Sequence, residues 1–287
     1  MIDPFPTAAR LDAARAAILE AGALALSYFG RIADLAIETK SNGQDVVSVA
    51  DREVETLVRR LIGEAFPRDG FLGEEYGLSE GSSGCTWVLD PVDGTSCFVH
   101  GLRSWCVSLA LVKGREVEAG LIFDPGADEL FVAVRGSGAT LNGWPIQVDR
   151  TTDLKHGLTG LGANFRIPAR DVSVFVERLL EAGGMFVRSG SGALSLAYVA
   201  CGRLAAYYEP HIHAWDCLAG LCLIREAGGW TNDFAADGAL VRGGPVIACA
   251  PQLRSDLLML AGAASLPAAS VLPAGANPER DETSRLA

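Results

Sequence analysis

Apolar residues recur at helical spacing near the start of the chain. Leu11, Ala14, Ile18, Ala21 and Ala25 share one stripe, which predicts an amphipathic helix over residues 8–29, softened at Gly22 and stopped at Gly30. A second helix is announced by Ser48-Val49-Ala50-Asp51, which resembles a capping box, and continues through Val54, Leu57, Val58, Leu61 and Ile62. Asp51 then falls in the first turn, where the helix dipole favours a carboxylate. Between Thr86 and Val134 the period shortens, and Trp87–Leu89, Trp105–Val112, Val117–Phe123 and Leu130–Val134 read as strands. The turn Lys113-Gly114-Arg115 predicts antiparallel pairing of two of them. Beyond the polar stretch Thr151–Asp153, helical patterns at Val172–Leu180, Ser191–Cys201 and Trp215–Ala227 alternate with the apolar runs Leu204–Tyr208 and Val246–Cys249. The expected layout is α/β, with layered sheets and helices. It divides into an N-terminal α+β half at 1–150, a C-terminal α/β half at 151–262, and a disordered tail at 263–287, where Ala, Pro and Ser dominate.

Composition narrows the chemistry. In 287 residues with 49% hydrophobic content there is enough apolar material for a sizeable core. Twenty-four basic against thirty-five acidic side chains leave a formal charge of -11, which repels nucleic acid and anionic lipid; neither is an expected partner. A phosphate ester would be repelled as well unless cations were bound at the site. Seven cysteines without paired spacing read as buried thiols of a reducing compartment. No basic stretch precedes an apolar one at the N-terminus, and no uncharged run reaches the ~20 residues that span a bilayer. The expectation is a cytoplasmic protein without membrane contact.

The densest chemistry lies in Trp87-Val88-Leu89-Asp90-Pro91-Val92-Asp93-Gly94-Thr95. An apolar strand is expected to end on Asp90, because Pro91 removes a backbone donor, and Asp93 follows beside a permissive glycine. Hard divalent cations take oxygen ligands, and magnesium uses a few carboxylates while keeping positions for water and substrate. Asp90 could bridge two ions, Asp93 hold one, and the Val92 carbonyl complete a site. Taken alone, Asp-Pro-x-Asp-Gly also suits an ordinary turn. Glu74-Glu75 after Phe71-Leu72 suits a solvated acidic loop, and Asp216 suits a favourable charge at a helix N-terminus.

Together, however, Gly73-Glu74-Glu75, Asp90-Pro91-Val92-Asp93-Gly94-Thr95 and Trp215-Asp216-Cys217-Leu218-Ala219-Gly220 resemble the inositol monophosphatase family in order and spacing. The resemblance runs over residues 8–260 and takes in Lys40, Asp45–Asp51, Gly190-Ser191-Gly192-Ala193 and Glu226–Gly229. It implies a layered α/β sandwich, a homodimer, and two or three Mg2+ ions held by Glu74, Asp90, Asp93, Asp216 and the Val92 carbonyl. It further implies that Thr95 and Asp51, with Glu74, activate the attacking water. Val92, Asp93, Gly94 and Thr95 would adjoin the phosphate, and Gly190, Ser191, Gly192, Glu209 and Asp216 the alcohol. Lithium inhibition is implied on the same ground. Two positions depart from the family pattern: Cys97 stands where many members carry asparagine, and Ala205 where many carry aspartate.

Paired divalent ions about 4 Å apart neutralise the non-bridging oxygens, align the nucleophile and stabilise the leaving alkoxide. Backbone N–H groups of Gly94 and Thr95 would add a phosphate cradle if they open a helical turn. Lys40 reads as a surface charge or a steering group. His211 and His213 lack partners at zinc spacing, and Ser191 reads as a helix cap. The expected reaction is hydrolysis of myo-inositol 1-phosphate or a related polyol phosphate. Histidinol phosphate, fructose 1,6-bisphosphate and a nucleotide 3'-phosphate are alternatives within the class, because loops outside the metal motif choose the substrate. A dimeric protein-binding module is the alternative outside it.

Overall fold

The computed structural model describes residues 7–32, 37–39, 46–151, 153–235 and 239–262. The tail expected at 263–287, together with Lys40 and Asp45, lies outside them. The first helix, α1 (Thr7–Phe29), is followed by the antiparallel pair β1 (Ile37–Thr39) and β2 (Val46–Ser48) and by α2 (Val49–Ala65). Ser48 caps α2 as its sequence predicts. Its hydroxyl accepts the Ala50 N–H at 3.2 Å, and Asp51 reaches back to the Ser48 N–H at 2.8 Å.

The large sheet comprises β3 (Gly70–Gly73), β4 (Gly77–Ser79), β5 (Cys85–Asp93), β6 (Cys106–Lys113), β7 (Glu116–Asp124), β8 (Glu129–Val134), β9 (Gly138–Leu141) and β10 (Trp144–Pro145), in the order β10-β9-β8-β7-β6-β5-β3-β4. Between β5 and β6 lies the short helix α3 (Thr95–Val99). The expected antiparallel turn is present, with Lys113 opposite Glu116. Side chains alternate across this sheet with the period of a strand. On β6, Val107, Leu109 and Leu111 pack with α1 and α2 residues such as Ile18 and Val58, while Cys106, Ala110 and Val112 face the opposite core.

The second sheet follows: β11 (Leu158–Leu161), α4 (Ala169–Glu181), β12 (Met185–Val187), α5 (Gly192–Ala200), β13 (Ala206–Ile212), α6 (Ala214–Glu226), β14 (Trp230–Thr231), α7 (Ala239–Arg242), β15 (Gly244–Cys249) and α8 (Arg254–Leu260). Its strand order is β12-β11-β13-β15-β14, with β11 parallel to both β12 and β13. Helices α5 and α6 are apolar nearly all round, because they lie between the two sheets and bury both flanks. Phe175, Leu179, Leu253 and Leu257 close the outer face of the smaller sheet. The result is a mixed α/β sandwich of alternating helical and sheet layers, with a central core that takes residues from both sheets.

One strand differs from expectation. Proline at position 91 does not end β5, which continues to Asp93 with a register shift: Asp90 pairs with Ser108, but Asp93 pairs with Cys106. Three steps on β5 oppose two on β6, the signature of a bulge, and a bulge tolerates the donor missing at proline. Strict alternation would send Asp90 and Asp93 to opposite faces. The extra residue returns both to the same pocket.

Candidate active site

That pocket has a volume of about 470 Å3, within the range of small-molecule sites. Glu74, Asp90, Asp93 and Asp216 line it on one side, and Asn164, Arg166, Arg188 and Glu209 also contribute to its wall. The acids come from three places. Glu74 follows β3, which runs parallel to β5 and so ends beside it. Asp90 and Asp93 come from the β5 bulge, and Asp216 comes from the first turn of α6.

Carboxylate oxygens of Glu74, Asp90 and Asp216 all lie within 4.8 Å of one another. Burial, reinforced by the charges of Glu74, Asp93 and Asp216, pushes the Asp90 carboxyl well above its ordinary range. Asp216 is raised likewise, by desolvation and by the charges of Asp93 and Glu74, and it shares a hydrogen bond with Asp90. Carboxyl groups this close do not all ionise unless positive charge is supplied. Their donor atoms are exclusively hard oxygens, and the Val92 carbonyl beside them has a second lone pair left after accepting the Thr95 hydroxyl at 3.0 Å. The donor set therefore fits a divalent cation of the magnesium or calcium type.

Asp93 stands apart from that triangle. One of its oxygens, Oδ2, accepts the Ser191 hydroxyl and the Ala193 N–H, the latter at 2.7 Å, at the N-terminus of α5. Burial raises its pKa overall against these hydrogen bonds. Ser191 caps α5 as expected, accepting the Leu194 N–H at 3.1 Å while it donates to Asp93.

The Thr95 hydroxyl lies 3.1 Å from Asp51 Oδ1, so the two residues meet across 44 positions of sequence. Asp51 is fully buried, and its pKa is raised by that burial although Ser48 and Thr95 donate to it. Gly94 precedes α3 with φ of 94°, a left-handed conformation that frees the next amides to open the helical turn. Gly94 and Thr95 line the same pocket.

A sequence model of the inositol monophosphatase family matches residues 8–265. The chain belongs to the inositol monophosphatase family. It is 42% identical over 216 residues to the protein named Nus factor SuhB of Xylella fastidiosa, covering 75% of this chain and 78% of that one. It is 37% identical over 235 residues to the inositol-1-monophosphatase of Rhizobium meliloti, covering 80% and 88%. Among solved structures, the extragenic suppressor protein suhB of Bartonella henselae superposes with a TM-score of 0.83 at 31% identity, covering 88% of this chain and 98% of that one. Membership in the inositol monophosphatase family implies a phosphatase of the metal-dependent kind, with the fold described above.

The substrate-side residues expected from that family also meet here. Gly190, Ser191, Gly192 and Glu209 all line the pocket. Glu209 accepts the Tyr207 hydroxyl at 2.5 Å and the Asn164 amide at 3.1 Å, and burial raises its pKa to about 7. Sequence reasoning missed Tyr207, Asn164, Arg166 and Arg188. Arg188 follows β12 and Asn164 follows β11, so the ends of parallel strands gather them although 24 positions separate them. No local signal marks either residue; only the parallel pairing does.

The two departures sit behind the pocket rather than in it. Cys97 is buried and donates its thiol to the Ser189 carbonyl at 3.4 Å, supporting the loop before Gly190. Ala205 lies in the outer core with Ala206 and Tyr208. His213 stacks on Trp215 with ring centroids 4.6 Å apart. All seven cysteines are free thiols. Among the described residues, no helix is long and apolar enough to cross a membrane.

Proposed function

We propose that this chain hydrolyses a small phosphate monoester with two or three magnesium ions, and that myo-inositol 1-phosphate or a related polyol phosphate is the substrate. The observation that carries this reading is the triangle of Glu74, Asp90 and Asp216 oxygens within 4.8 Å, in one pocket with Thr95, whose hydroxyl lies 3.1 Å from the buried Asp51. Glu74, Asp90, Asp93, Asp216 and the Val92 carbonyl would hold the ions. When bound, divalent cations supply charge neutralisation for the phosphoryl oxygens and the leaving alkoxide.

The chain's own groups do the rest. The Thr95 hydroxyl has one proton and two acceptors within reach, Asp51 Oδ1 at 3.1 Å and the Val92 carbonyl at 3.0 Å; when the proton is directed to Asp51, the hydroxyl lone pairs are free to accept a hydrogen from water. As that water attacks phosphorus, the proton passes to Thr95 Oγ while the Thr95 proton passes to Asp51. The raised Asp51 pKa favours this transfer. Glu74 would assist in activating the water through the cation that it would hold. The Gly94 and Thr95 amides would hold the phosphate, Gly190, Ser191, Gly192 and Glu209 would meet the alcohol, and Asp216 would touch both metal and substrate. The protein acts in the cytoplasm as a homodimer, without nucleic acid or membrane.

A panel of phosphate esters assayed with magnesium and after exhaustive chelation tests the reading. Polyol phosphates are expected to turn over fastest, with loss of activity on chelation and inhibition by lithium. Full activity after chelation excludes the mechanism; faster turnover of histidinol phosphate, fructose 1,6-bisphosphate or a nucleotide 3'-phosphate reassigns the substrate. A second reading, a protein-binding role, draws on the Nus factor name of the Xylella fastidiosa relative. A stable protein partner combined with no turnover of any ester would favour it.

A further inference from the structure

Helix α2 presents more than Asp51 to the site. Asp51, Glu55 and Arg59 recur four residues apart, so they line one face of the helix. The Glu55 carboxylate is fully buried. Its Oε2 accepts the Glu75 N–H at 2.8 Å, and its Oε1 accepts the Tyr76 N–H at 3.3 Å and Arg59 Nε at 2.8 Å. Arg59 reaches onward to the Gly77 carbonyl at 2.6 Å and the Ser79 hydroxyl at 3.0 Å, and lies over the Phe71 ring. One partly buried ion pair thus ties α2 to the turn between β3 and β4.

Glu74 is the first residue of that turn, immediately before the two amides that Glu55 holds. On its other side its own N–H donates to the Leu89 carbonyl of β5 at 3.3 Å. The approach of Glu55 is so close that a Cβ at Gly73 would stand 1.9 Å from its Oε1, so the turn wraps the carboxylate only because Gly73 has no side chain. Burying a carboxylate is costly unless charge and hydrogen bonds compensate it. Here the compensation comes from the two amides that follow Glu74, those of Glu75 and Tyr76, and from one guanidinium.

We propose that Glu55 is a positioning residue that sets the Glu74 carboxylate for its cation, an inference that rests on the magnesium reading above. With Asp51 directed to Thr95 and Glu55 to the Glu74 turn, a single helix face sets both the proton acceptor and one metal ligand. Groups that orient a ligating carboxylate through hydrogen bonds are worth about 10–100-fold in metal affinity.

The test is calorimetric titration of magnesium chloride into the full chain, comparing the unaltered protein with Glu55→Gln and Gly73→Ala. The second variant leaves Glu55 intact and displaces its carboxylate with a methyl group. Both are expected to unfold cooperatively on heating yet to bind magnesium about tenfold more weakly. The magnesium concentration for half-maximal hydrolysis should rise in parallel, while KM for the ester at saturating magnesium is retained. A folded variant with unaltered magnesium affinity overturns the proposal, because a purely structural brace would lower Tm alone. Should neither variant fold, amide hydrogen exchange on the unaltered chain decides: the Glu75 and Tyr76 amides are expected to be protected, and more so with magnesium. Rapid exchange of both overturns the proposal. An unaltered chain that binds no magnesium overturns this inference and the magnesium mechanism together, whereas normal binding with indifferent variants overturns this one alone.

Discussion

Two sets of carboxyl groups share one pocket, and they differ in what balances their charge. Glu74, Asp90 and Asp216 crowd together with raised pKa values at Asp90 and Asp216, each burdened by the other acids nearby. Glu209 is buried too, but a phenol and a side-chain amide already donate to it. The first set is arranged for cations, because only added positive charge lets all three ionise. The second is arranged as an acceptor for neutral groups such as hydroxyls. Identical chemistry in the side chain acquires two uses through its surroundings.

The sharpest way to break this comparison is at the crowded set. Asp90→Asn is expected to abolish turnover while leaving the fold largely intact, because it removes the charge at one corner of the triangle. Calorimetry that found normal magnesium binding in this variant would take Asp90 out of the metal site. Next in size is Thr95→Ala, expected to lower kcat by about 100-fold with magnesium binding retained, the scale of general-base assistance. A near-normal kcat would show that the Asp51–Thr95 pair is not needed to activate water.

The neutral-balanced set predicts smaller and more selective effects. Glu209→Ala should reduce kcat/KM for inositol phosphate by ~1.5–3 kcal/mol, the worth of a hydrogen bond to a charged group. An aryl phosphate without hydroxyls should lose much less; equal losses on both would indicate damage to the metal centre instead. The smallest effect concerns stability. With its folded pKa raised to about 7 from 4.5, Glu209 binds its proton more tightly in the folded chain. Its contribution is therefore fully present below 4.5 and is lost as pH rises through about 7. Glu209→Gln should flatten that decline, seen as a few degrees in the dependence of Tm on pH between about 5 and 8. An unchanged profile would mean that Glu209 keeps an ordinary pKa.

Much of the layout was legible because its signals are local. The i, i+3, i+4 stripe of α1 and the Ser48–Asp51 cap of α2 act within a few residues, so pattern alone locates them. The same holds for the alternation along β6 and β7. The bulge at Pro91 was not legible: proline forbids a donor, but whether a strand stops or bulges there depends on β6, which supplies Cys106 opposite Asp93. Glu55 passed unremarked because one more acid on a helix reads as a solvent-facing charge. Its burial becomes visible only when the Glu75 and Tyr76 amides arrive against it.

The family and the acids of the pocket were readable in the sequence because metal chemistry demands particular side chains at particular offsets from strand and helix ends. Three-dimensional packing alone decided which of those acids touch. It placed the Asp93 carboxylate on the N-terminus of α5 rather than in the triangle, brought Asp51 to Thr95, and surrounded Glu209 with Tyr207 and Asn164. Tyr207 and Glu209 share a face of β13 through their i, i+2 spacing, but the other contacts join residues 44 to 100 positions apart, and their distances follow from how sheets and helices stack.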